Sequence, residues 1–222
     1  MQLETVWALR EETIYPDLFG PANRGIFLLT SDEFAAFGDV AIDPTWLHHG
    51  VFEFAPTATR ASWLYATSGY SNPWHVDPQA YDPDQMSGAG VEFIFETDHS
   101  ADWPIIFLRR MLAFDIMLAA GHFGDKPALN EADRIPLRGP IDGQSDSPVH
   151  NALLTKPLHL PHQFQLPSGT VDLLHFVGVT PAEADIARDQ GHDALIAQLR
   201  AIDCYPTTRL TRDDATGAGH LD

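Results

Sequence analysis

Two runs of sheet-forming residues constrain this chain most: 62–67 within SWLYATSGYSN, and 91–97 within GVEFIFET. Trp63, Tyr65, Thr67, Phe93 and Phe95 are β-branched or aromatic types that suit a pleated, half-buried surface. Ser68, Gly69, Ser71, Asn72 and Pro73 supply turn chemistry after the first run, because glycine tolerates positive φ and proline fixes its own. Two core strands are expected, with a polar, aromatic-rich loop projecting from one end of a sheet. The layer that covers them is the helix predicted between Asp102, as its cap, and Gly121, with Pro104 in its first turn. At 1.5 Å per residue, some eighteen residues make a rod of about 27 Å. Ile105, Leu108, Leu112, Ile116 and Ala119 line one side; Ile106, Met111, Phe114, Met117 and Leu118 widen the stripe. A stripe so wide suits a helix that lies on a sheet and also touches a neighbour.

The rest of the chain alternates between short signals. Leu3, Val6, Trp7 and Leu9 predict an amphipathic helix over 2–14, stopped near Tyr15 by Pro16. A strand is expected at 25–30, then a short helix capped by Ser31 and ended by Gly38. Asp43-Pro44 opens a turn or short helix, and 51–54 pairs with 62–67 as a hairpin. The segment 71–88, with Pro73, Pro78 and Pro83, is long for a structureless connection, and such loops are enriched in function. Ile135 to Leu137 and Asn151 to Leu154 read as extended. Pro167-Ser168-Gly169 joins two further strands. Thr180, Pro181 and Glu183 mark a capped helix, and Gly191 separates it from a second. With no repeat and no Gly/Ser linker, the order argues one α+β domain over 1–210, built on a mixed or antiparallel central sheet with helices packed on it. The tail 211–222 is expected to fray.

Thirteen Lys and Arg against 31 Asp and Glu give a net charge of -18. That surface repels phosphate backbones and anionic bilayers, so neither nucleic acid nor a membrane is expected as a partner. It would speed association with a basic protein, and it also simply keeps a chain soluble. No apolar run approaches the roughly twenty residues of a membrane span. The start lacks the basic-then-apolar order of a secretory leader, and the single Cys204 permits a reducing compartment. A cytoplasmic location is expected.

No catalytic set emerges. Gly143-Gln-Ser145 lacks the last glycine and the strand–helix setting of a nucleophile elbow. Gly88-Ala-Gly90 leads into a strand, whereas phosphate loops lead from a strand into a helix. Cys204 reads as a small buried thiol. Glu92 and Glu96 share one face of a strand, where they are expected to be solvated or to meet an arginine. No zinc spacing is present, and no cofactor is expected. Two alternatives stay open: a small metal-assisted hydrolase built on His75, Asp77 and Asp82, and a structural protein that self-associates through a sheet edge.

Several blocks, in order, resemble the Suppressor of fused family: SWLYATSGYSN at 62–72, SGAGVEFIFE at 87–96, Trp103-Pro104, Leu153-Leu154-Thr155, and PSGTVDLLHFVGVTPAE at 167–183. The resemblance is clearest over 60–200 and looser before residue 55. It implies the fold of the family's N-terminal domain and a non-catalytic protein-binding module. Eukaryotic members sequester transcription factors by gripping a peptide added as a strand between two domains; this chain matches the first of these domains. Stand-alone copies are similar to bacterial immunity proteins, which implies a partner protein such as a basic toxin, or a peptide added at a sheet edge. Carried over onto this sequence, the resemblance makes Trp74 and Asp84 the partner-contacting residues.

Overall fold

The computed structural model describes residues 3–212, so most of the tail expected to fray, from 213 on, lies outside the described residues. The N-terminal helix does not stop at Tyr15. α1 (Leu3–Leu9) passes through a π turn, Arg10–Ile14, into α2 (Tyr15–Phe19), which ends at Gly20 with φ 89°. Pro16 has no N–H to give. The π turn changes the register just ahead of it, with the Tyr15 N–H reaching the Arg10 carbonyl, so the missing donor falls in a first turn, where it costs nothing. β1 (Ala22–Leu28) follows, then α3 (Ser31–Ala35). Its cap is Thr30, one residue before the expected Ser31: the Thr30 hydroxyl accepts from the Asp32 N–H while Glu33 accepts from the Thr30 N–H.

A 3₁₀ turn at Pro44–His48 leads into β2 (Gly50–Phe54), and β3 (Trp63–Ser68) returns antiparallel to it. After the proline-bearing loop come β4 (Met86–Thr97), α4 (Trp103–Ala119), β5 (Arg134–Pro136) and β6 (Asn151–Thr155). The hairpin of β7 (Gln163–Leu166) and β8 (Gly169–Val179) precedes α5 (Pro181–Gln190) and α6 (His192–Ala201). α5 carries the expected capping box between Thr180 and Glu183. The strands form one 8-stranded sheet in the order β1-β2-β3-β4-β8-β6-β5, with β7 also on β8. Every pairing is antiparallel except β4 with β8, the central pair. The architecture is a mixed-sheet α+β domain.

Both faces of the sheet are covered. On one, Tyr65, Phe93, Phe95 and Phe176 pack against Ile105, Leu108, Leu112 and Ile116 of α4. On the other, Leu64, Ala66, Ile94 and Leu173 meet Val6, Tyr15 and Phe19, and farther along Leu153 and Val177 meet Leu195 and Leu199. Each fully buried Leu or Phe contributes about 1.5–3 kcal/mol. A strand covered on both sides has no solvent face. Glu92, Glu96 and His175, on β4 and β8, are therefore buried; the expectation of solvated glutamates does not hold. Ile106 of α4, assigned to the apolar stripe, is 40% exposed, while Asp115, a charge in that helix, is fully buried.

Candidate functional site

The turn 68–72 between β3 and the long loop is held from below by two buried charges. Glu92 accepts hydrogen bonds from the Gly69 N–H (3.1 Å), the Ser71 N–H (2.9 Å), the Ser71 hydroxyl (2.7 Å) and the Thr67 hydroxyl (2.6 Å). From the π turn, Arg10 donates to the Ser68 hydroxyl (3.0 Å), the Ser71 hydroxyl (3.1 Å) and Asn72 Oδ1 (2.6 Å). The guanidinium lies 3.9 Å from the Glu92 carboxylate, and neither side chain is exposed. A buried ion pair is tolerable only when its remaining donors and acceptors are met. Here the turn's own amides and hydroxyls do that, together with Glu11, which takes the remaining guanidinium nitrogen at 3.2 Å, and this makes the turn's conformation the counterpart of the pair.

Three glycine–serine blocks that are distant in sequence converge at this turn. The Ser87 hydroxyl donates to the Ser71 carbonyl (2.7 Å) and lies 2.6 Å from the Ser168 hydroxyl. A Cβ on Gly88 would stand 2.5 Å from the Asn72 carbonyl oxygen, and one on Gly169 would stand 2.4 Å from that of Gln85. The backbones approach too closely for side chains, so these residues serve packing. Gly88→Ala, which also has to hold φ at 58°, is expected to cost about 2–3 kcal/mol, seen as a lower urea midpoint with an unchanged m-value.

On this floor opens a cleft of about 430 Å³, lined by Trp46, His49, Tyr70, Trp74, Val76 and Met86 among others, with Asp43 at its edge and Ile116 of α4 in its wall. Val76 and Met86 are 45% and 49% exposed, unusual for large apolar side chains among the described residues. Trp74 is half-buried. Its indole N–H donates to His49 Nε2 (3.1 Å), and its ring meets Trp7 and His48, with centroids 6.3 and 5.4 Å apart. Burial holds His49 down to about 4, helped by the nearby Arg10 and His48 charges, so the imidazole is neutral at pH 7 and its Nε2 can accept. Tyr70 donates to Asp115 Oδ2 (2.9 Å), tying the turn to α4. Burial pushes the Asp115 carboxyl up, against the pull of hydrogen bonds from the Leu129 N–H and Tyr70.

Trp74 thus stands in the cleft wall. Asp84 stands exposed in the same loop, outside the lining, with its N–H on Asp82 Oδ1 (2.9 Å). His75 lines the cleft, but Asp77 and Asp82 spend a carboxylate oxygen each on local backbone N–H groups. Among the described residues no three His, Cys, Asp or Glu are grouped to hold a metal ion, so the hydrolase alternative finds no support in the geometry. Sequence reasoning missed Arg10, His49, Tyr70 and Met86 as site residues. Only Tyr70, inside the turn motif, carried any local signal.

A family model for Suppressor of fused protein matches residues 45–213. Among solved structures, a chain of the Sufu–Fu complex aligns with a TM-score of 0.66 at 20% identity, covering 98% of this chain and 93% of that one. Drosophila Suppressor of Fused aligns at 0.59 and 20% identity over 77% of this chain, which spans 43% of that protein. A homologue from Neisseria gonorrhoeae FA 1090 aligns at 0.54 and 14% identity, over 83% and 93% of the two chains. At these identities the likeness establishes the fold. No curated protein matches.

Proposed function

The chain belongs to the Suppressor of fused family, and from that premise we propose that it is a non-catalytic protein-binding module. The observation that carries this reading is the cleft: exposed Val76 and Met86 and the half-buried Trp74 stand together over a floor fixed by buried hydrogen bonds. Apolar and aromatic side chains presented on a rigid base are what a partner's anchor residue needs. A solved relative was crystallised as the Sufu–Fu complex, in which a protein of this fold meets another protein.

The partner in this reading is another protein, such as a basic toxin, and the role is immunity in a bacterial cytoplasm. A surface with a net charge of -18 would raise the rate of encounter with a basic protein more than the final affinity. Trp74 is the proposed anchor contact, with Asp84 at the periphery. A peptide added at a sheet edge is the other form of contact. The β5 end offers three residues closing on Pro136, β7 offers four, and β1 is broken by two register shifts, so none of these edges gives a long flat ladder.

Selection of displayed random peptides on the full chain tests the binding claim. Enriched peptides are expected to bind with micromolar or tighter affinity, and Trp74→Ala to weaken them at least tenfold, about 1.4 kcal/mol. Enrichment that is indifferent to Trp74 would move the site elsewhere. The immunity role is tested by co-expression with the proteins encoded beside the gene: protection from a toxic neighbour supports it, and the absence of any toxic neighbour counts against it.

A further inference from the structure

We propose that a groove between α6 and the connection from β6 to β7 is a binding site for a small molecule carrying a phosphate group. The groove has a volume of about 280 Å³ and is lined by Lys156, His162, His192, Ile196, Arg200 and Tyr205 among others. It shares no lining residue with the aromatic cleft, so the inference does not depend on the function proposed above.

Cations are scarce in this chain, and most are spent. Arg10, Arg24, Arg109, Arg188, Arg209 and Arg212 all form ion pairs. Arg200 forms none among the described residues; its guanidinium sits 5.3 Å from the centre of the Tyr205 ring. Tyr205 is itself fixed, its hydroxyl donating to the Lys156 carbonyl at 3.0 Å. Stacking leaves the guanidinium edge, with its N–H fork, available to an oxyanion. Lys156 meets Glu131 at 3.0 Å, but the side chains are 52% and 43% exposed, and such surface pairs hold loosely enough to yield to a ligand.

At the other end of the groove the Nε2 atom of His192 is buried without a hydrogen-bond partner among the described residues. An unmet buried nitrogen is costly, and a turn of the His192 ring that brings Nε2 to the groove surface, in the tautomer with hydrogen on Nε2, would let it donate to a ligand oxygen. His192 and Arg200 stand on one helix, about 12 Å apart along its axis at eight residues of 1.5 Å rise. Ile196 lies between them, which suits a molecule with an apolar or neutral middle and polar groups at its ends. Glu131 and Asp193 also line the groove, so Lys156 and Arg200 only balance the formal charge. In a chain of net -18 that balance still marks a place where an anion is not turned away. The volume lies near the lower limit for small-molecule sites, so the ligand is small.

The test is a titration of the full chain with inorganic phosphate, glycerol 3-phosphate and acetate at constant ionic strength. It is followed by the imidazole proton resonances of His162 and His192, assigned with His162→Asn and His192→Asn. Saturable shifts are expected with both phosphates, with a dissociation constant on the order of 1 mM or tighter, and at least tenfold weaker with acetate. Arg200→Gln should weaken phosphate at least tenfold, His192→Asn should weaken it severalfold, and Trp74→Ala should leave it unchanged. The proposal is overturned by shifts that do not saturate, by an equal response to acetate, or by equal phosphate affinity in a folded Arg200→Gln protein. If Arg200→Gln does not fold, equal affinity in His192→Asn overturns it instead.

Discussion

Replacing Arg10 with methionine is expected to lower the unfolding free energy by about 3–5 kcal/mol, the usual result of removing one partner from a buried ion pair. The loss has two parts. Glu92 keeps its carboxylate in a site with no exposure, now without the guanidinium 3.9 Å away. Asn72 Oδ1, the Ser68 and Ser71 hydroxyls and the Glu11 carboxylate, 3.2 Å from the guanidinium, also lose a donor. Against a typical stability of 5–15 kcal/mol, the variant would be marginal. Glu92→Gln in the same chain should recover more than about 1 kcal/mol of the loss, because it removes the stranded charge; the double-mutant cycle measures that coupling. Denaturant unfolding of the four proteins decides it. A cost below about 1 kcal/mol for Arg10→Met, or strict additivity, would mean that the N-terminal helix merely abuts the turn. The prediction bears on function as well, since Arg10 lies outside the family-matched residues 45–213 yet holds the floor of the cleft.

That network marks the boundary of what was legible in the chain. Local signals placed the local elements: the capping box of Thr180 and Glu183, the hairpin at Pro167-Ser168-Gly169, and the long helix opened by Pro104 all stand in the structure. The failures share one cause. Glu92 and Glu96 read as solvated or facing an arginine, but β4 has no wet side at those positions, and of the two only Glu92 meets an arginine, Arg10, among the described residues. Whether a glutamate on a strand is solvated depends on what covers that face, and here the cover is a helix that arrives from the other end of the chain. The cleft was half visible for the same reason. Trp74 was reached through the family resemblance, whereas Trp7, His49 and Ile116 come to it only through folding. The glycine and serine blocks were conspicuous, but their meeting, in which Ser87 links Ser71 to Ser168, is a property of the β4–β8 pairing.

Acid should unmask a second buried charge, Glu53 on β2. Arg24 of β1 donates to both of its oxygens, at 2.9 and 2.7 Å, and Asn23 and Ser100 donate as well. Burial alone would push this carboxyl up; the hydrogen bonds from Arg24, Asn23 and Ser100 outweigh it and hold the group down at about 2, against an ordinary 4.5. A depressed folded-state value means that the unfolded chain takes up the proton first. The contribution is therefore complete above the ordinary value and is lost as pH falls toward 2. Discounted because Arg24 is 36% exposed, it amounts to roughly 2–3 kcal/mol at pH 7. Arg24→Ala should be less stable than the wild type by up to that amount at pH 7, since Asn23 and Ser100 share in holding the charge, and the gap should narrow to about half at pH 3, because there protonation of the unfolded chain has removed part of an advantage that only the wild type had. Urea midpoints of the two proteins across pH 7 to 3 give the gap directly. A gap that stays constant would mean that Arg24 stabilises β1 by packing its stem against Phe27, whose ring centre lies 5.7 Å from the guanidinium carbon, and that the charge on Glu53 is held by Asn23 and Ser100 without it.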